Sequence, residues 1–318
     1  MTDSPEIQLA ARLLGDAAEC NVSLAGYTTY RVSGPAALFV TITDDAVLAT
    51  VRSAVQATRV PVLVVGRGSN LLVADSGFAG LVLVLGEHFT TIDISGTTVT
   101  AGGAASLPVV ARRSAAAGLA GFEWAVGVPG SVGGAVRMNA GGHGSDMAET
   151  LLRVRVLDVA TGDNGWVPAA DLDLSYRHSG VTSSQVVLAA ELGLHTGDRD
   201  RSEALIGEIV RWRRANQPGG ANAGSVFTNP TGDSAGRLIE AAGCKGLRIG
   251  SAAVSSKHAN FIQADEGGRA DDVFAIMGEI VRRVEAHSGV RLHPETCLVG
   301  FGSDPGAGSD PRPGVEGS

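Results

Sequence analysis

The chain has 318 residues, 44% apolar and 18% charged, which suits about two core-forming domains and excludes intrinsic disorder. A formal net charge of −8 argues against nucleic acid or an anionic membrane as a partner, and 44 glycines without a Gly-X-Y period exclude collagen. Cys20, Cys244 and Cys297 are odd in number and far apart, so neither a disulfide framework nor a zinc site is expected.

Glu6–Leu14 reads as a short helix, and the acidic residues near it stand where a signal peptide needs bases. No apolar run approaches the ~18 residues of a membrane span, so a cytoplasmic protein is expected. Ala37–Ile42 is a strand. Asp44 and Asp45 then cap an amphipathic helix carrying Val47, Val51 and Val55. Val60–Val65 has the continuous apolar run of a strand buried on both faces, and it ends in Gly66-Arg67-Gly68-Ser69-Asn70. Leu81–Leu85 is another such strand. Thr90–Ile94 and Thr97–Ala101 flank Ser95-Gly96 as a hairpin, and Gly118 stops a helix over Leu107–Ala117. A second glycine-rich loop covers Gly127–Gly134, with Asn139-Ala140-Gly141-Gly142 after it.

Val154–Leu194 reads mostly as strand, with turns at Gly162 and Gly180. The composition shifts at Gly197, where Asp198–Arg214 forms a charged helix with Leu205, Ile209 and Trp212 on one face. We place the domain boundary there. Beyond the loop Asn222–Phe227 come helices over Ala235–Ala242 and Ala270–His287, the second stopped by Gly289, and a terminal strand over Val290–Val299 interrupted at Pro294. Residues 303–318 are too polar to order themselves and read as a tail. The division is a lead-in over 1–26, one domain over 27–196, a second over 197–302, and the tail.

Small residues let backbone amides approach an anion, so glycine-rich loops after apolar strands suggest a phosphate-bearing cofactor. A single such loop reads as a structural turn; two shift the reading to a ligand without naming it. Leu71 stands where G-x-G-x-x-G needs its third glycine, and no G-x-x-x-x-G-K-[ST] occurs, which disfavours a Rossmann dehydrogenase and a P-loop NTPase. Ser225 lacks a G-x-S-x-G frame and on its own reads as a turn residue. His143, His178, His258 and His293 have no metal-ligand spacing, so no metal is expected. Glu295, within the apolar stretch Leu292–Leu298, faces either a pocket or an ion-pair partner. Arg177 alone reads as a surface arginine.

Taken in order, these segments resemble the UDP-N-acetylenolpyruvoylglucosamine reductase (MurB) family. The resemblance rests on Pro61–Leu72, Gly127–Gly134, Tyr176-Arg177-His178-Ser179, Ala223–Pro230 and His293-Pro294-Glu295, and it runs from about residue 27 to 301. It implies an α+β fold: a vanillyl-alcohol-oxidase/PCMH-type FAD-binding domain of two subdomains plus a C-terminal α+β substrate-binding domain. It implies non-covalent FAD, NADPH as co-substrate, and reduction of a UDP-sugar enolpyruvyl ether to UDP-N-acetylmuramate for peptidoglycan. It further implies that hydride passes from flavin N5 to C3, that Ser225 gives a proton to C2, that Arg177 stabilises the developing charge and that Glu295 assists.

The resemblance assigns cofactor contacts to Tyr30, Gly66, Arg67, Gly68, Ser69, Asn70, Leu71, Gly127, Pro129, Gly130, Ser131, Gly133, Gly134, Asn139 and Gly141. It assigns substrate contacts to Tyr176, Arg213, Asn229, Lys257 and His258. Asn216 and Thr228 stand where the family often has lysine, so Arg213, Arg214 or Lys257 must meet the diphosphate. No tyrosine lies between 178 and 224, which resembles the loopless type. A monomer without nucleic-acid or membrane partners is expected. The alternatives are another FAD oxidase or dehydrogenase of this fold, or a non-catalytic nucleotide-sugar binder.

Overall fold

The computed structural model describes residues 4–302 and Pro305; the expected tail over 303–318 otherwise lies outside the described residues. Asp44 accepts hydrogen bonds from the amides of Ala46 and Val47, both at 2.9 Å, and so satisfies free donors at the start of the helix Asp45–Thr58. Leu48, Val51, Ala54 and Val55 bury one face of it in a core shared with Ile7, Ala10 and Leu14 of the helix Pro5–Leu14. The adjoining sheet runs in the order Glu19–Ser23, Pro35–Ile42, Phe78–Leu85, Val62–Val64. Its last three strands are parallel, and the first is an antiparallel edge. Val62–Val64 is only half-buried, against the expectation of burial on both faces. It is the other edge strand, and its residues wall a cleft.

A second, antiparallel sheet has the order Asn164–Pro168, Leu151–Asp158, Gln185–Gly193, Thr98–Gly102, Ile92–Ser95. Gly96, at φ 59°, turns the expected hairpin. Residues 169–184 are not strand, so the expected β run breaks there, and the break carries Arg177. The helix Arg199–Asn216 buries Ser202, Ile206 and Ile209, and both isoleucines share a core with Leu107 and Trp124. The core therefore does not change at residue 197. Leu205 and Trp212 are 43% and 50% exposed, so the buried stripe lies one step round from the face expected. The buried Glu123 sets it by accepting from Ser202 Oγ at 2.5 Å.

The third unit is the small antiparallel sheet Arg248–Ile249, Ala252–Val254, Ile262–Ala264 with the helices Ala235–Ala241 and Ala270–Ser288. Its core also takes Tyr30, Val32 and Leu72 from the first unit. Arg269 gives the long helix no side-chain cap; instead Asp75, nearly two hundred residues away, accepts from Ala270 N at 2.8 Å. Only Cys297–Val299 of the expected terminal strand pairs, in parallel with Leu71–Val73. Pro294, which has no amide hydrogen, makes just an isolated bridge to Phe227. No helix among the described residues is long and apolar enough to cross a membrane.

Candidate active site

The three units meet round a cleft of about 1150 Å³, roomier than the ~300–1000 Å³ of most small-ligand sites. Both glycine-rich loops line it: Gly66, Arg67, Gly68, Ser69, Asn70 and Leu71 on one side, and Gly127, Pro129, Gly130, Ser131, Gly133 and Gly134 on the other. A Cβ on Gly66 would strike Ser131 Oγ, so the loops meet at van der Waals contact there. A Cβ on Gly68 would strike the Tyr27 carbonyl, and that glycine is left-handed at φ 59°. Gly130 differs, because the nearest atom to a Cβ there would be Leu107 Cδ1 at 3.6 Å. The space in front of it belongs to the cleft. Bare backbone from two facing loops, in a cavity of this size, fits a dinucleotide whose pyrophosphate lies against the amides.

Arg177 enters the cleft from a strained turn. Ser175 and His178 exchange backbone hydrogen bonds of 3.1 and 3.0 Å round Tyr176-Arg177, and Arg177 takes φ 57°. A non-glycine residue held there costs about 1–3 kcal/mol, so the surroundings must impose it. Two side chains do so: Asn139 Nδ2 donates to the Ser175 carbonyl at 2.9 Å, and Ser179 Oγ donates to the Arg137 carbonyl at 2.8 Å. Both anchors tie the turn to the segment just after the second glycine loop. Arg177 Nε then donates to Glu295 Oε1 at 2.6 Å and Nη2 to the Gly141 carbonyl at 3.1 Å. Nη1 makes no hydrogen bond among the described residues.

Glu295 therefore satisfies both of its alternatives, since it lines the cleft and is ion-paired. Burial pushes its carboxyl above the ordinary range, against the opposing pull of the Arg177 guanidinium. Asn70 Nδ2 donates to the Glu295 carbonyl at 2.9 Å, which joins the first glycine loop to this segment. Ser225 is half-buried in the cleft wall, and its hydroxyl has no hydrogen-bond partner among the described residues.

Of the three basic residues weighed for the diphosphate, Arg213 alone lines the cleft. Its Nε donates to Gln217 Oε1 at 2.8 Å, and burial lowers its pKa. Lys257 Nζ instead donates to the Arg214 carbonyl at 2.6 Å. His143 stands edge-on to Trp212, with centroids 5.2 Å apart; burial and then the Arg213 charge lower its pKa.

Gly141 lines the cleft, but six other expected contacts do not. Tyr30 is wholly buried in the C-terminal core, where desolvation drives its phenol upward. Asn139 is spent on the Arg177 turn. Tyr176 is 59% exposed and packs under the Arg177 guanidinium, at 5.2 Å. Asn229 Oδ1 accepts from Ala235 N at 3.0 Å, His258 packs on Phe261, and Lys257 is engaged as above. Conversely, Arg137, His143, Trp212 and Gln217 line the cleft although the resemblance assigns them no contact.

Two family models match the chain. One is described as an FAD binding domain and covers residues 35–164; the other is the UDP-N-acetylenolpyruvoylglucosamine reductase C-terminal domain and covers residues 216–299. The UDP-N-acetylenolpyruvoylglucosamine reductase of Heliobacterium modesticaldum is 42% identical over 283 residues, covering 87% of this chain and 89% of the relative. That of Paramagnetospirillum magneticum is 42% identical over 283 residues, covering 88% and 91%. The crystal structure of the reductase (MurB) from Thermus caldophilus matches with a TM-score of 0.75 at 37% identity, covering 87% of this chain and 97% of that one.

Proposed function

The chain belongs to the UDP-N-acetylenolpyruvoylglucosamine reductase family, and from that premise we infer that Arg177, Ser225 and Glu295 carry the chemistry of its cleft. The enzyme is an NADPH-dependent FAD oxidoreductase that reduces a UDP-sugar enolpyruvyl ether to UDP-N-acetylmuramate for peptidoglycan synthesis. The two glycine loops would hold FAD without a covalent bond, and the bound flavin would supply hydride transfer from NADPH to C3 of the enolpyruvyl group. The observation that carries the assignment is convergence: residues 177, 225 and 295, from three separate stretches, line one cleft beside both loops.

As C3 accepts hydride, negative charge develops at C2 and the adjoining carboxylate. The always-charged guanidinium of Arg177 meets that charge, and its two hydrogen bonds aim it in advance. Glu295 fixes the guanidinium, and with its raised pKa it exchanges protons closer to neutrality than an ordinary carboxylate. Ser225 protonates C2. A hydroxyl is a weak acid, but an enolate-like carbon is basic enough to take its proton when the two are well placed. Arg213 meets the diphosphate. Every residue in this scheme comes from one chain, so a monomer suffices, and the scarcity of cysteine suits a cytoplasmic enzyme.

The test is an anaerobic cycle. NADPH should bleach the visible absorbance of the oxidised flavin, and the enolpyruvyl substrate should restore it. A yellow protein that NADPH does not bleach would favour a non-catalytic binder. Bleaching that the substrate does not reverse would favour another flavin dehydrogenase.

A further inference from the structure

Asn260 takes no part in the scheme above, yet it is 4% exposed and uses its side chain in both directions on one residue. Its Oδ1 accepts from Phe227 N at 3.0 Å and its Nδ2 donates to the Phe227 carbonyl at 2.9 Å. Its own carbonyl accepts from Val226 N at 2.9 Å. The two residues following Ser225 are thus held from one side by a single asparagine. From the other side the Val226 carbonyl accepts from Glu295 N at 2.8 Å. The chain of contacts runs Asn260, then the Ser225 loop, then Glu295, then Arg177.

We propose that Asn260 is a positioning residue for the protonation step: by clamping residues 226 and 227 it sets the place of the Ser225 hydroxyl relative to Glu295 and the cleft. The inference rests on the reading of Ser225 as proton donor. On the N-terminal side Gly224, at φ 76°, is held only by its amide donating to Asn222 Oδ1 at 3.1 Å, and the Ser225 hydroxyl itself has no partner among the described residues. Asparagine is suited to the task because it offers one donor and one acceptor in a plane, matching the N–H and C=O of a single residue. An ionised aspartate offers only acceptors and cannot donate to the Phe227 carbonyl, whereas a protonated one can.

The test uses the FAD-loaded enzyme and follows flavin absorbance in each half-reaction. Asn260→Ala should slow restoration of absorbance by the enolpyruvyl substrate by ~10–10²-fold, the scale of an ångström-sized misplacement, while bleaching by NADPH stays near the wild-type rate. Asn260→Asp should show the same defect at high pH and recover as pH falls and the carboxyl protonates. That pH rescue would not appear if Asn260 served packing alone. The double variant Ser225→Ala/Asn260→Ala should be no slower than Ser225→Ala, because one acts through the other.

Equal slowing of both half-reactions, a pH-independent Asn260→Asp variant, or additive losses in the double variant would each overturn the proposal. If Asn260→Ala does not fold, Asn260→Asp alone still decides through its pH profile. Ser225→Ala separates the two levels. Wild-type restoration in that variant refutes the Ser225 reading itself, whereas slow restoration there with normal restoration in Asn260→Ala refutes only the role of Asn260.

Discussion

Replacing Arg177 with lysine keeps one positive charge and removes the planar fork. The arginine spends Nε on Glu295 at 2.6 Å and Nη2 on the Gly141 carbonyl at 3.1 Å, in different directions. A single ammonium cannot reproduce both and still present a donor to substrate. Losing the carbonyl bond and part of the charge-assisted one should cost ~1–2 kcal/mol. The ~3–5 kcal/mol seen on breaking a fully buried pair is an upper bound. The discount is required because the two side chains keep 23% and 15% of their exposure. The melting temperature should fall by ~2–8 °C. Turnover should fall further, by ~10²–10³, because the donor is aimed at charge that exists only in the transition state. Stopped-flow absorbance resolves the two halves: restoration by substrate should carry the loss, and bleaching by NADPH should be little changed. If both slow by the same factor, Arg177 shapes the cleft and does not meet the developing charge.

Gly130→Asp should cost flavin content with the fold retained, since a Cβ there would meet its neighbours only at van der Waals distance and the carboxylate would face a phosphate; Gly68→Ala should instead damage the fold, because its Cβ would strike the Tyr27 carbonyl. Full flavin content in purified Gly130→Asp would contradict the phosphate assignment. Asp75→Ala uncaps the helix Ala270–Ser288 and should lower stability by ~1 kcal/mol, mostly from the lost cap, as the partner Arg269 is largely exposed; an unchanged urea midpoint would show that this cross-unit cap carries nothing. Glu295 titrates above its unfolded value of 4.5, so the folded state binds more protons in the window above pH 4.5 and loses stability as pH rises through the folded pKa. The stability of Glu295→Gln relative to the wild type should therefore rise with pH across that window, whatever the cost of losing the Arg177 pair, and a difference flat with pH would refute the raised pKa.

Much of the cleft was legible because its chemistry is local in the chain. A glycine that must lie bare against a ligand is written in the loop that bears it, and all the glycine-loop residues named from sequence line the cavity. The failures share a cause: they depend on what lies opposite. Tyr30, a cofactor contact by resemblance, faces the C-terminal core, and Asn139, another, holds a turn. Trp212 shares an apolar helix face with Leu205 and Ile209, yet of these three only Ile209 is buried, because the stripe follows Ser202, bonded to Glu123, and the neighbouring core, which no spacing within the helix reveals. Asn260 escaped because a lone asparagine has no spacing signal; its partner Phe227 is 33 residues away.

Hydride transfer and protonation are separable steps in this cleft, and Ser225→Ala measures that separation most directly. NADPH should bleach the flavin of this variant at close to the wild-type rate, because that step needs no proton at C2. Restoration by the enolpyruvyl substrate should slow by ~10²–10⁴, the scale of a positioned acid, and Ser225→Cys should recover part of the rate. Restoration at the wild-type rate in Ser225→Ala would contradict the account and pass the proton to Glu295 or to water.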